Sequence, residues 1–231
     1  MKKVYFLFLI SVLIFACKDS KTNNNLTSQK AMNITNNPLL VESTLPYGAP
    51  DFTKIDNSHF REALLQGMDE KREIIEKIAK RTEAATFENT ILALEKSGVL
   101  LDRVRNVFSA LTGAHTNDTL QAVQEEMAPK FSELQDAIYL NDTIFQRVKT
   151  LYEKRESLNL DGESLRLLEN YFEDFEIAGA NLSQENKEIL KTYNSRLATL
   201  SNTFNKTLLE ANNAGAVIFT DKSDLAGLSD S

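Results

Sequence analysis

Two histidines, His59 and His115, and a single cysteine, Cys17, narrow the chemistry open to this 231-residue chain. A catalytic zinc takes about three protein ligands, and the sharpest short signal for one is a pair of histidines at i and i+4, which share one face of a helix. His59 is followed by Phe-Arg-Glu-Ala and His115 by Thr-Asn-Asp-Thr, so neither has a second histidine at helical spacing. Both are expected to be structural or solvent-facing. Glu169, Glu173, Asp174 and Glu176 crowd one stretch, yet they lack the alternating ligands and turn glycine of a calcium loop and read as an acidic helix face. No Asp-Thr-Gly-like pairing of carboxylates occurs either. The residues themselves therefore offer no catalytic group and no metal ligand.

Cys17 carries a different chemistry. Lys2 and Lys3 precede an apolar run from Val4 to Ala16 that is too short to span a bilayer and has the layout of a secretory signal. The run ends in Ile14-Phe15-Ala16-Cys17, which resembles a bacterial lipobox, where cleavage before the cysteine exposes a residue that is then acylated. With no second thiol for an intramolecular disulfide, lipid attachment is the expected role of Cys17. Residues 1–16 are then a signal peptide and 17–37, rich in Asn, Lys, Ser and Thr, a flexible tether. The expected location is the cell envelope, lipid-anchored to a membrane and facing the periplasm or the surface. A formal charge of −7 argues against nucleic acid as a partner.

The elements that would hold these residues are read from periodicity. Gly and Pro are scarce, at 8 and 4, and no Val/Ile/Thr alternation recurs, so the body, 38–231, is expected to be all-α, an elongated multi-helix lobe. Its densest stretch is Thr86 to Leu111, where Phe87, Ile91 and Leu94, then Leu100, Val104, Val107, Phe108 and Leu111, predict two amphipathic helices parted at Gly98. Thr86 is placed to cap the first. Pro38 to Pro50 predicts an extended surface segment in contact through Leu39, Leu40, Leu45 and Tyr47. Further helices are expected from Ser58 to about Lys80, from Asn117 or Asp118 with a kink or break at Pro129, from Asn141 or Asp142, from Asp161 to Gly179, and from Ser183. In the helix after Asn141, Ile144, Phe145, Val148, Leu151 and Tyr152 point inward, while Arg147, Lys149, Lys154 and Arg155 face water. Leu190, Tyr193, Leu197, Leu200, Phe204 and Leu208 form a seam expected to pack as one side of a long helical pair. Ala216 to Thr220 is a short strand candidate.

Several words in this order, NPLL, LPYGAPDF, HFREALLQGM, TFENTILALEKSG, LLDRVRNVF, APKF, IYLN, IFQRV and LAGL, resemble the amino-terminal half of the thimet-oligopeptidase-like zinc metallopeptidases. The likeness is to the branch of the peptidyl-dipeptidase Dcp and oligopeptidase A, and it covers about Pro38 to Ser231. It implies a helix-rich enzyme with a deep channel, in which one zinc, held by the histidines of an HExxH helix and a later glutamate, hydrolyses oligopeptides. Dcp-type members release dipeptides from the carboxyl end. No HExxH occurs here, so no catalytic or metal residue carries over, and the zinc belongs to a segment absent from this sequence.

Three readings follow. The chain is the leading, channel-wall part of a lipoprotein peptidase, inactive alone and binding no zinc by itself; or a membrane-anchored helical module that binds peptides or partners without catalysis; or a structural envelope protein.

Overall fold

A computed structural model of the chain describes residues 37–227. The signal peptide, Cys17 and the tether predicted for 1–37 thus lie almost wholly outside the described residues. From Pro38 onward the elements are helical: α1 (His59–Ala79), α2 (Leu92–Glu95), α3 (Val99–Ala114), α4 (Asp118–Tyr139), α5 (Asp142–Glu153), α6 (Gly162–Ile177) and α7 (Gln184–Gly215). Short 3-10 turns at Pro38–Leu40, Pro46–Gly48, Arg155–Ser157 and Lys222–Leu225 join or flank them.

Local chemistry sets most of the helix starts. Side-chain oxygens of Asn117, Asn141, Asp161 and Ser183 accept from the amides of Leu120, Thr143 and Ile144, Ser164, and Asn186, each satisfying a donor that a helix start would otherwise leave bare. The break before α3 falls at Gly98, whose φ of 86° is left-handed and open to glycine at little cost.

The pairing of α1 with α3 builds one half of the core. Phe60, Ala63, Leu64, Met68, Ile75 and Ile78 of α1 meet Leu101, Val104, Val107 and Phe108 of α3, with the Phe60 and Phe108 rings 5.3 Å apart. The close approach depends on Gly67, because a Cβ built there would stand 2.8 Å from Leu101 Cα. Helices α5 and α6 build the other half around an aromatic stack. The Tyr152 and Phe172 rings lie 3.9 Å apart and nearly parallel, and Phe145 lies between Phe172 and Phe175 at 6.0 and 5.9 Å. α4 bridges the halves, and α7 lies along α4.

Four expectations need correction. Of the kink or break expected at Pro129, the break does not occur, since α4 runs through it as one helix. The proline removes one amide donor, but Met127 and Leu134 are buried on either side, and Glu125, whose carbonyl loses that bond, lies on the exposed side where water can replace it. Leu39 is buried and Leu40 packs half-buried against the core as expected, but Tyr47, in a left-handed turn (φ 61°), is fully exposed and Leu45 is 43% exposed. Ala216 to Thr220 is not a strand: among the described residues no strand is formed, and a lone five-residue segment has nothing to pair with. Of the α7 seam only Leu190 is half-buried; Tyr193, Leu197, Leu200, Phe204 and Leu208 lie outside the helical pair, as described below. Among the described residues no helix is long and apolar enough to cross a membrane.

The α1–α3 contact yields a direct test. Gly67→Ala forces the Leu101 backbone to move and is expected to cost about 1–3 kcal/mol in urea unfolding. Gly113→Ala, within α3 and with nothing within 4 Å, is expected to be neutral or slightly stabilising. Equal effects at both positions would show that helix propensity, not close approach, decides.

Candidate functional site

The most highly connected polar centre lies where the densest stretch of sequence meets α5. The chain enters α2 through a π-helical turn, Phe87–Ile91, opened by a reciprocal cap: Thr86 Oγ1 accepts from the Asn89 amide at 3.1 Å, and Asn89 Oδ1 accepts from the Thr86 amide at 2.9 Å. The Asn89 side chain also donates to the Ala84 carbonyl at 2.9 Å and accepts from the Thr90 hydroxyl at 2.8 Å. Into this turn α5 sends Arg147. Its Nη2 donates to Asn89 Oδ1 at 2.7 Å, its Nε to Thr90 Oγ1 at 3.2 Å, and its Nη1 to the carbonyls of Glu83 and Arg81 at 2.9 and 3.4 Å.

Arg147 was expected to face water; it is 8% exposed. The error has a simple cause. Helical periodicity puts Arg147 beside the apolar stripe of α5, and what lies over that edge is the 81–90 segment, an irregular turn with unpaired carbonyls that a periodicity argument does not see. Burial and the like charge of Arg81 pull its pKa below the ordinary guanidinium value, with Glu83 opposing, but a guanidinium stays protonated throughout the physiological range.

Two further polar contacts tie helices together. Lys187, 1% exposed, reaches from the first turn of α7 to the Leu140 carbonyl at 3.3 Å and to the Asp142 carboxylate, pinning α7 to the α4–α5 junction. Asp136 of α4, 9% exposed, accepts from Asn194 of α7 at 2.7 Å. Burial raises the Asp136 pKa, partly offset by that hydrogen bond and by Lys191. Nearby, the Tyr171 hydroxyl donates to Glu95 at 2.9 Å, and burial together with that bond pushes the phenol pKa far up. Tyr139 is shifted the same way, by burial and by Asp174 and Glu95, so both phenols keep their protons.

None of this is reaction chemistry. His59 Nδ1 accepts the Asp56 amide at 2.9 Å at the start of α1, and His115 is exposed at the end of α3. Of the acidic stretch, Glu169 pairs loosely with Arg155 and Arg166 at 3.9 and 3.7 Å, and Glu176 accepts from Asn181 at 3.0 Å. Among the described residues no group of three or more His, Cys, Asp or Glu side chains is arranged to hold a metal ion. A hollow of about 300 Å³ lies between the 38–55 segment and α3, walled by Leu39, Val41, Leu45, Ile55 and Val107. Arg103 at its edge donates to the Leu39 carbonyl at 3.3 Å and lies 3.9 Å from Glu42. Its polar lining is engaged locally: Asp51 pairs with Lys54 at 2.8 Å, and the Ser43 hydroxyl donates to the Ala49 carbonyl at 2.6 Å.

Two outcomes test the centre. Arg147→Ala leaves two carbonyls, an amide oxygen and a hydroxyl short of their donor and is expected to cost about 2–4 kcal/mol in denaturant unfolding. Arg147→Lys, which cannot fork, should recover only part of it. For Asp136 the sign is that of a buried acid: a folded-state pKa above the unfolded value of 3.8 means that the ionised form destabilises the fold at neutral pH. The penalty fades as the pH falls through the folded pKa toward 3.8. Asp136→Asn, whose carbonyl still accepts from Asn194, should raise the melting temperature near neutral pH and lose that advantage in acid; an advantage independent of pH would contradict burial as the cause.

Comparison with known proteins places these features. No protein-family model matches the chain. Over 196 residues it is 49% identical to the dipeptidyl carboxypeptidase of Escherichia coli, a match covering 85% of this chain and 29% of that protein. The dipeptidyl carboxypeptidase of Salmonella typhimurium is 46% identical over the same shares. Oligopeptidase A of Escherichia coli is 25% identical over 195 residues, or 84% of this chain and 28% of the relative. The chain thus spans less than a third of the length of these curated relatives, and its homologues are dipeptidyl carboxypeptidases and, more distantly, oligopeptidase A.

Proposed function

We propose that this sequence is the amino-terminal, helical part of a zinc metallo-oligopeptidase that releases dipeptides from the carboxyl ends of oligopeptides. It forms a wall of the substrate channel and leaves bond cleavage to the remainder of the polypeptide. The observation that carries this reading is the 49% identity to a dipeptidyl carboxypeptidase over 85% of the chain. The absence of any HExxH fits a division of labour in which this part contributes shape and access. Its two histidines lie at the ends of different helices and converge on nothing, so no step of the reaction is assigned to its residues.

The test is a chimera. Residues 38–227, installed in the Escherichia coli enzyme in place of the segment they match, are expected to support release of carboxyl-terminal dipeptides from an amino-blocked oligopeptide. The isolated chain supplied with zinc should release none. Chelator-sensitive release by the isolated chain would overturn the assignment of chemistry to the remainder, and a folded but inert chimera would favour a non-catalytic binding module.

We further propose that the protein is held to a cell-envelope membrane through lipid on Cys17. This rests on Lys2 and Lys3, the apolar run Val4 to Ala16 and the Ile-Phe-Ala-Cys ending. Cells fed labelled palmitate should acylate the wild type and not Cys17→Ser, and the variant should leave the membrane fraction. An unlabelled wild type whose mature chain begins elsewhere would exclude the anchor.

A further inference from the structure

Apolar exposure on the described unit is concentrated in its last third. Helix α7 is 32 residues long, roughly 48 Å at 1.5 Å per residue. The side it turns to α4 is mostly small or polar, with Lys187, Lys191, Asn194 and Ala198 following one another at helical spacing and Lys187 and Asn194 bonded across. Its richest apolar line, Tyr193, Leu197, Leu200, Phe204 and Leu208, advances by four, three, four and four residues along a different face, and every member is 47–66% exposed. Beyond the helix Val217, Ile218 and Phe219 are 56–83% exposed. The two halves of the core, by contrast, bury their large side chains almost completely.

We propose, resting on the functional reading above, that this face of α7 is the seat of the rest of the peptidase polypeptide, which lays an amphipathic helix along Tyr193–Leu208 and covers the 217–219 segment with it. Three observations choose this occupant. A spacing of three and four residues is the register at which a second α-helix inserts its side chains between those of the first. The curated relatives have more than two thirds of their length outside the matched region, so a covalently attached occupant exists in them at high effective concentration. The exposed line runs on past the helix into 217–219, where the three- and four-residue spacing stops; a second copy docked helix to helix would leave those residues in water, whereas a larger continuous body covers both.

Hydroxyl-radical footprinting reads the proposal at the side chains themselves. It compares the isolated chain with the chimera in which residues 38–227 replace the matched segment of the Escherichia coli dipeptidyl carboxypeptidase. Oxidation of Tyr193, Leu197 and Phe204 is expected to fall several-fold in the chimera, while exposed Tyr47 stays equally reactive in both. Leu197→Asp with Phe204→Asp should leave the helix content of the isolated chain unchanged, because that face is bare there, and should restore reactivity at Tyr193 in the chimera. Seam residues as reactive in the chimera as in the isolated chain overturn the proposal, whatever the activity. Protection already present in the isolated chain and lost on dilution overturns it in favour of a second copy. Protection in a chimera that releases no dipeptide upholds the seat and rejects the functional reading instead.

Discussion

The guanidinium of Arg147 is the constraint on which the arrangement of the helices rests. A buried charge is tolerated only when its donors are met, and the side chain that meets them best, Asn89, is itself held by the cap with Thr86 and by the Ala84 carbonyl. The conformation of the 81–90 segment and the docking of α5 therefore depend on each other, because Arg147 also satisfies the carbonyls of Arg81 and Glu83. This reciprocity links the α1–α3 half of the core to the α5–α6 half through hydrogen bonds that an apolar contact could not direct. The π-helical opening of α2 belongs to the same requirement, because it sets Asn89 and Thr90 together under one guanidinium.

Helix α7 is attached by a different principle. Its contact with α4 includes a lysine reaching a carboxylate and a carbonyl and an asparagine bonded to a buried aspartate. Such contacts fix direction and register more than they contribute burial, since hydrogen-bonded polar pairs exchange water for protein at modest net gain. The helix is thereby oriented while its apolar line stays bare. A part built this way is suited to belong to something larger, which agrees with the short share of its relatives that it spans.

Nothing in the described unit resembles a reactive centre, and the physical reason is dispersion. The histidines lie on separate elements, the acidic residues of α6 turn outward or pair with arginines, and the groups whose pKa burial raises, Asp136, Tyr139 and Tyr171, lie in helix contacts. The raised pKa values of these three groups report burial at helix contacts.

Much of this was decided by the sequence alone. The cap at Thr86, helix starts near Asn117, Asn141, Asp161 and Ser183, the turn at Gly98 and the apolar stripes of α3 and α5 follow from hydrogen bonding and periodicity within a few residues, and local interactions are written locally. The family likeness likewise needed only short words in order. Tertiary structure decided what depends on a distant neighbour. Arg147 is inside because a segment about sixty positions earlier offers it oxygens, and Pro129 leaves α4 intact because the flanking turns are already packed. The seam of α7 is outside because polar partners on α4 claim another face of the helix. An apolar line in a sequence says that it must be covered, but only the positions of the other elements say by what, and here no described residue does so.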